Sequence, residues 1–175
     1  MLLDVVRQTE VWVSQAAKRA IELETARQHP LEAGGVLTGY RDGDAIVVTH
    51  AIVVPDATHR RHVYVRDDVG ANELLRQFIA DRDPDDPTGY VGEWHSHPAP
   101  IGPSNVDAST LRELALLAQG PIALLVCMST PAPVLVALVA RRRTRAQARA
   151  VVTSAVVTTP SAEKASAVQF TFPKD

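Results

Sequence analysis

A chain of 175 residues with 46% hydrophobic and 22% charged side chains is long enough for one domain with a buried core, and its composition is that of an ordinary globular protein. Its 18 basic and 20 acidic side chains leave a formal net charge of −2, which excludes bulk-charge attraction to nucleic acid or to an anionic membrane. The single cysteine, Cys127, excludes an intramolecular disulfide and a thiolate-rich metal site. It lies in an apolar run, Pro121 to Met128, that reads as a buried strand, where thiols are usually inert. The sequence has no apolar run of about 18 residues that would span a membrane. Met1 to Glu10 places charges where a secretory signal needs an unbroken apolar region, so the expected location is the cytoplasm.

Glu10 to Val13 reads as a short strand, with Ser14 as the cap of a following helix. Ala16, Ala20 and Leu23, with Ala17 and Ile21, supply an apolar face at helical spacing, and Pro30 should stop the helix near His29. Gly34 to Tyr40 and Ala45 to Val54 are strand-like and joined by Arg41-Asp-Gly-Asp44, which has hairpin chemistry. His62 to Val65 reads as another short strand. Leu74, Leu75, Phe78 and Ile79 mark a second helix, ended by the acidic, proline-broken Asp81 to Pro87. Thr88 to His97 is a strand that runs into a loop with prolines at 98, 100 and 103. Leu111, Leu114, Ala115 and Ala118 then repeat at helical spacing. The strands Ile122 to Met128, Val134 to Ala140 and Ala150 to Val157 follow. A domain over 1–157 is expected, with a linker-like tail over 158–175 that holds a further candidate strand at Val168 to Phe172. Helices that interleave with strands and hairpins point to an α+β fold, a mixed sheet flanked by helices.

The chemistry concentrates between Gly92 and Asp107. Side chains two apart on a strand project to the same side, roughly 6.6 Å apart along it. His95 and His97 therefore aim both imidazoles at one cation, while Ser96 points to the other face. Zinc takes two histidine nitrogens and commonly a carboxylate, leaving a position for water. Pro103-Ser104-Asn-Val-Asp107 looks like a helix start with Ser104 as cap, which would fix Asp107 in the first turn as the third ligand. Two carboxylates compete for general base. Glu93 shares the strand face of the histidines, and Glu32 precedes Ala33-Gly34-Gly35, where small residues permit close backbone approach. Spacing alone does not choose between them.

Glu32-Ala-Gly-Gly-Val-Leu-Thr-Gly39, Tyr90-Val-Gly-Glu-Trp-His-Ser-His-Pro98 and Ser104-Asn-Val-Asp107 together resemble the signature of the JAMM (MPN+) metalloproteases, and most of all their bacterial branch. The likeness spans roughly residues 10 to 140, with the motif's parts in the family's order. The loop between His97 and Ser104 is one residue shorter than is usual there. The resemblance implies an α/β/α, cytidine-deaminase-like fold, and one zinc per chain on His95, His97 and Asp107. It also implies Glu32 as general acid/base, Ser104 as an oxyanion donor, and a supporting place for Glu93. The implied activity is hydrolysis of the bond after the C-terminal tail of a ubiquitin-like protein. That activity belongs to deconjugation or precursor processing beside activating and conjugating enzymes, including antiphage systems, or to trimming of a sulfur carrier.

Two rival classes are weighed against this. An inactive scaffold of the same fold would usually have lost ligands, and all of them are present here. A zinc deaminase needs a Cys-x-x-Cys pair that one cysteine cannot supply, and a His-Glu-x-x-His helix is also absent. His29, His50, His59 and His62 lack ligand spacing. Arg60-Arg61-His62 and the basic run from Arg141 to Arg149 read as solvated edges, and Trp12 and Trp94 as core residues.

Overall fold

A computed structural model describes residues 9–55, 65–130, 132–142 and 150–160. Along the chain these form β1 (Glu10–Val13), α1 (Gln15–Gln28), β2 (Gly34–Asp42), β3 (Ala45–Val53), α2 (Asp68–Ala80), β4 (Gly89–His97), α3 (Asn105–Leu117), β5 (Ile122–Thr130), β6 (Ala132–Arg142) and β7 (Ala150–Thr158). The expected elements between 10 and 157 that fall on described residues are all present, with β5 and β6 longer at the hairpin that joins them. The candidate strands at 62–65 and 168–172 fall wholly or mainly outside the described residues, as do His59, Arg60, Arg61 and most of the basic run.

The sheet is mixed, as expected, and it closes on itself in the order β1-β3-β2-β4-β5-β6-β7, a closure that the expected layering of a sheet flanked by helices does not include. Closure depends on β1, which pairs in parallel with β3 on one side and with β7 on the other. Only four residues make this seam, and a strand that short carries no sequence sign of two partners. The remaining pairs are antiparallel, apart from β4 and β5, which run parallel because α3 carries the chain over between them.

Alternation then separates two sets of buried side chains. Val11, Leu37, Val48, Trp94, Leu125, Cys127 and Val139 meet inside the barrel, where α1 contributes Ala17 and Ile21. Outside, α3 covers β5 to β7 with Leu111 and Ala115 against Ile122, Leu124 and Val126. α2 covers β2 and β3 through Ala71 and Leu74 against Val36 and Ile52. β5 is thus buried on both faces, which explains its unbroken apolar run.

The buried side of α1 differs from the expected one. Ala17, Ile21, Glu24 and Thr25 face inward, while Leu23 is 66% exposed. Glu24 belongs to the buried stripe because Arg27 and Gln28 both donate to its carboxylate, and the Arg27 hydrogen bond is the main reason its pKa is lowered. Trp94 packs inside the barrel as expected. Trp12 sits between the inward Val11 and Val13, half-buried, with its indole N–H donating to Glu10.

One irregularity decides which way the histidines face. Val91 and Trp94 both enter the interior, although they are three residues apart. The parity change occurs at Gly92, where the β2–β4 register shifts and φ is +153°. A Cβ there would stand 1.9 Å from the Ala123 carbonyl oxygen, so glycine is required. Beyond this bulge Glu93, His95 and His97 face outward into the cleft beside α3, and Trp94 and Ser96 face inward.

Candidate metal centre

The centre forms where the end of β4 meets the start of α3. Ser104 is the α3 cap: its hydroxyl accepts from the Asp107 N–H at 3.2 Å, and the Asp107 carboxylate accepts from the Ser104 N–H at 2.6 Å. This reciprocal box holds the Asp107 carboxylate in one orientation against β4. His95 Nε2 lies 3.1 Å from His97 Nε2 and 3.3 Å from Asp107 Oδ1, and His97 Nε2 lies 3.8 Å from Asp107 Oδ2. Among the described residues, these three form the group of His, Cys, Asp or Glu close enough to share an ion. Each is only partly accessible to solvent.

The protons are constrained as well. His97 Nδ1 stands 2.7 Å from the Ile101 carbonyl, which can only accept, so that nitrogen carries the hydrogen and Nε2 turns a lone pair toward the cluster. Burial holds the His95 pKa down at about 4, against a smaller opposing pull from Asp107, so its imidazole is neutral near pH 7. Two imidazole nitrogens and a carboxylate oxygen that converge this closely suit a shared cation. Tetrahedral ligands with bonds of about 2.0–2.1 Å stand roughly 3.3 Å apart, close to the observed spacings. The donor set therefore fits a small divalent cation.

Glu32 and Glu93, the two candidate bases, are placed differently. Both line the cleft of about 640 Å³ that contains the three ligands and Ser104. Glu93 accepts from the Tyr90 hydroxyl at 3.2 Å and is paired with Arg66, whose guanidinium also bonds Asp68. Burial raises the Glu93 pKa, with Arg66 the main opposing influence. Glu32 reaches the cleft from the entrance of β2. Gly34 pairs with His95, and the Ser96 N–H donates to the Ala33 carbonyl, so continuing that register sets Glu32 across from His97. Cross-strand neighbours share a face.

Sequence reasoning missed three contributors. Arg66 belongs to no motif, and only its pairing with Glu93 gives it a role. The Ile101 carbonyl is a backbone atom in a proline-rich loop and leaves no side-chain signal. The alternation turns Ser96 to the other strand face but gives its hydroxyl no partner, and the structure supplies one in the Ala33 N–H. His50 stacks edge-on with Phe78 and takes no part in the cluster. No helix among the described residues is long and apolar enough to cross a membrane.

A family model described as prokaryotic homologs of the JAB domain matches residues 14–154. A protein of Sinorhizobium fredii named probable metalloprotease y4qB is 29% identical over 126 residues, which covers 67% of this chain and 75% of that protein. The solution structure of protein DSY2949 from Desulfitobacterium hafniense superposes with a TM-score of 0.63 at 17% identity, over 86% of this chain and 92% of that one. That likeness supports the fold alone. The matched span holds every element from α1 through β6 with the first half of β7, and it includes the whole His95, His97 and Asp107 cluster, so the chain belongs to the prokaryotic branch of the JAB (JAMM/MPN) family, whose metalloprotease-like character its metal-competent centre shares.

Proposed function

We propose that this protein is a zinc-dependent peptidase or isopeptidase that hydrolyses the bond after the C-terminal tail of a ubiquitin-like protein. The observation that carries the reading is the convergence of His95, His97 and Asp107 in a cleft that Glu32 and Ser104 also line. The three ligands hold the metal. Zinc in such a site supplies an acidified water and a Lewis acid for the scissile carbonyl. Glu32 takes the attacking water's proton and passes it to the leaving amine. The Ser104 hydroxyl accepts from the Asp107 N–H, so its own hydrogen is available to donate toward the developing oxyanion. Glu93, held by Arg66 and Tyr90, supports the cleft wall.

The shape of the cleft favours an extended apolar tail. Val65, Ile101 and Val106 are exposed around it, with Ile101 at 63% and Val106 at 73%, while Leu111 and Leu114 line its floor. The partners proposed are a ubiquitin-like protein or its conjugate and the activating and conjugating enzymes of the same pathway, in the bacterial cytoplasm. Trimming of a sulfur carrier would use the same tail chemistry. An inactive scaffold is disfavoured because the ligand set is complete.

Purified protein is expected to carry about one zinc per chain and to cleave a ubiquitin-like fusion. Glu32→Gln should keep its zinc by elemental analysis while kcat falls roughly 10²–10⁴-fold. Undiminished turnover in that variant removes Glu32 from the mechanism, and zinc-free protein that cleaves as well as loaded protein removes the metal.

A further inference from the structure

Ser96 lies between the two histidines, yet its side chain points into the barrel interior, where the residue is 1% exposed. Its hydroxyl oxygen accepts from the Ala33 N–H at 2.9 Å, and its own N–H donates to the Ala33 carbonyl at 2.7 Å. Ala33, 4% exposed, is thus held at both its polar backbone atoms by one residue of β4. These bonds are the last rung of the β2–β4 ladder. Glu32 stands one residue beyond them, on the link between the end of α1 and the start of β2. A buried N–H that loses its acceptor drives the backbone to move until it finds another.

We propose that Ser96 is a positioning residue that acts through Ala33: the clasp places Glu32 opposite His97 and so sets the carboxylate against the cleft that holds the ligands. The inference rests on the proposed function of Glu32. It gives the residue between the histidines a task on the opposite sheet face, where it touches neither ligands nor substrate. One short segment of β4 thereby sets both the metal-binding pair and the base.

The test compares Ser96→Ala and Ser96→Thr, alone and combined with Glu32→Gln, in the zinc-loaded full chain. Ser96→Ala should retain its zinc and a KM within about threefold of wild type, while kcat falls on the order of 10–100-fold, as expected for a displaced reacting group. Ser96→Thr keeps the hydroxyl and should recover most of that loss. On the Glu32→Gln background, Ser96→Ala should cost almost nothing further, because both changes act on one carboxylate. Amide exchange at Ala33 should quicken at least about tenfold in Ser96→Ala and remain slow in Ser96→Thr. Wild-type kcat in Ser96→Ala, a loss traced to missing zinc, a full additional loss in the double variant or unchanged Ala33 exchange would each overturn the proposal. Wild-type protein that cleaves no ubiquitin-like fusion would overturn the functional reading and this role together, while quickened Ala33 exchange would still show that the clasp exists.

Discussion

At the scale of single residues, proton placement matters as much as distance. The Ile101 carbonyl sets the His97 tautomer with Nε2 toward the cluster, and burial keeps His95 neutral near pH 7. A sign follows for the metal-free protein. The folded pKa of His95, about 4, lies below its unfolded value of 6.5, so between those limits the unfolded chain binds more protons. The contribution of His95 is therefore complete above pH 6.5 and declines as the pH falls toward 4. Thermal melts of chelator-stripped protein should show that decline, and His95→Ala should flatten it. A wild-type and variant pair with parallel profiles would refute the assignment. Metal binding should weaken as the pH falls toward 4, where protons begin to compete for the His95 nitrogen.

Elements act through their ends and irregularities. Ser104 caps α3, and the proposed function gives it a second, separable task, donating within the cleft. Ser104→Ala should cost ~1 kcal/mol of stability and Ser104→Gly only a few tenths, as glycine is a tolerable cap. Both should lose about 10²-fold in kcat, since neither retains a hydroxyl. If kcat follows stability across the two variants, the donor role fails. The Gly92 bulge is the second such device. Gly92→Ala places a Cβ against the Ala123 carbonyl in a conformation alanine rarely adopts, so stability should fall by ~2 kcal/mol or more and zinc affinity with it. Titration with a competing chelator would measure that affinity, and unchanged binding would show that strand parity does not depend on Gly92.

These same elements show what the sequence makes legible. The alternation of Glu93, His95 and His97 and the cap at Ser104 are local patterns, and both appear in the structure. The preference for Glu32 over Glu93 in the proposed function is not local: it draws on β2 lying beside β4 and on Arg66 approaching Glu93 from another segment. Glu24 defeated the reading of α1 because a paired carboxylate can occupy a buried stripe that hydrophobic periodicity assigns to apolar residues.

For the whole molecule, the unread feature is closure. Nothing in Glu10 to Val13 announces two partners, yet its pairings with β3 and β7 join the two ends of the sheet. Three residue pairs on each side hold this seam, against nine between β5 and β6. Backbone amides of β1 should therefore exchange through local opening well before those of β5, and native-state hydrogen exchange would measure the order. Equal protection would show that the barrel opens only as a unit.

The seam also bears on how the chain assembles. β2 with β3 and β5 with β6 are joined by short turns and meet early, whereas β1 must find a strand at the far end of the sequence. The side-chain bond from Gln15 to the Pro160 carbonyl bridges 145 residues at the same place. Ring completion is thus the event of highest contact order and belongs late in folding. Until it happens, β7 offers its outer hydrogen-bonding edge to solvent. A second chain that arrives first with its own β1 would satisfy the same edge, so refolding at high concentration should leave some strand-exchanged dimer beside the single ring, which size-exclusion chromatography would detect.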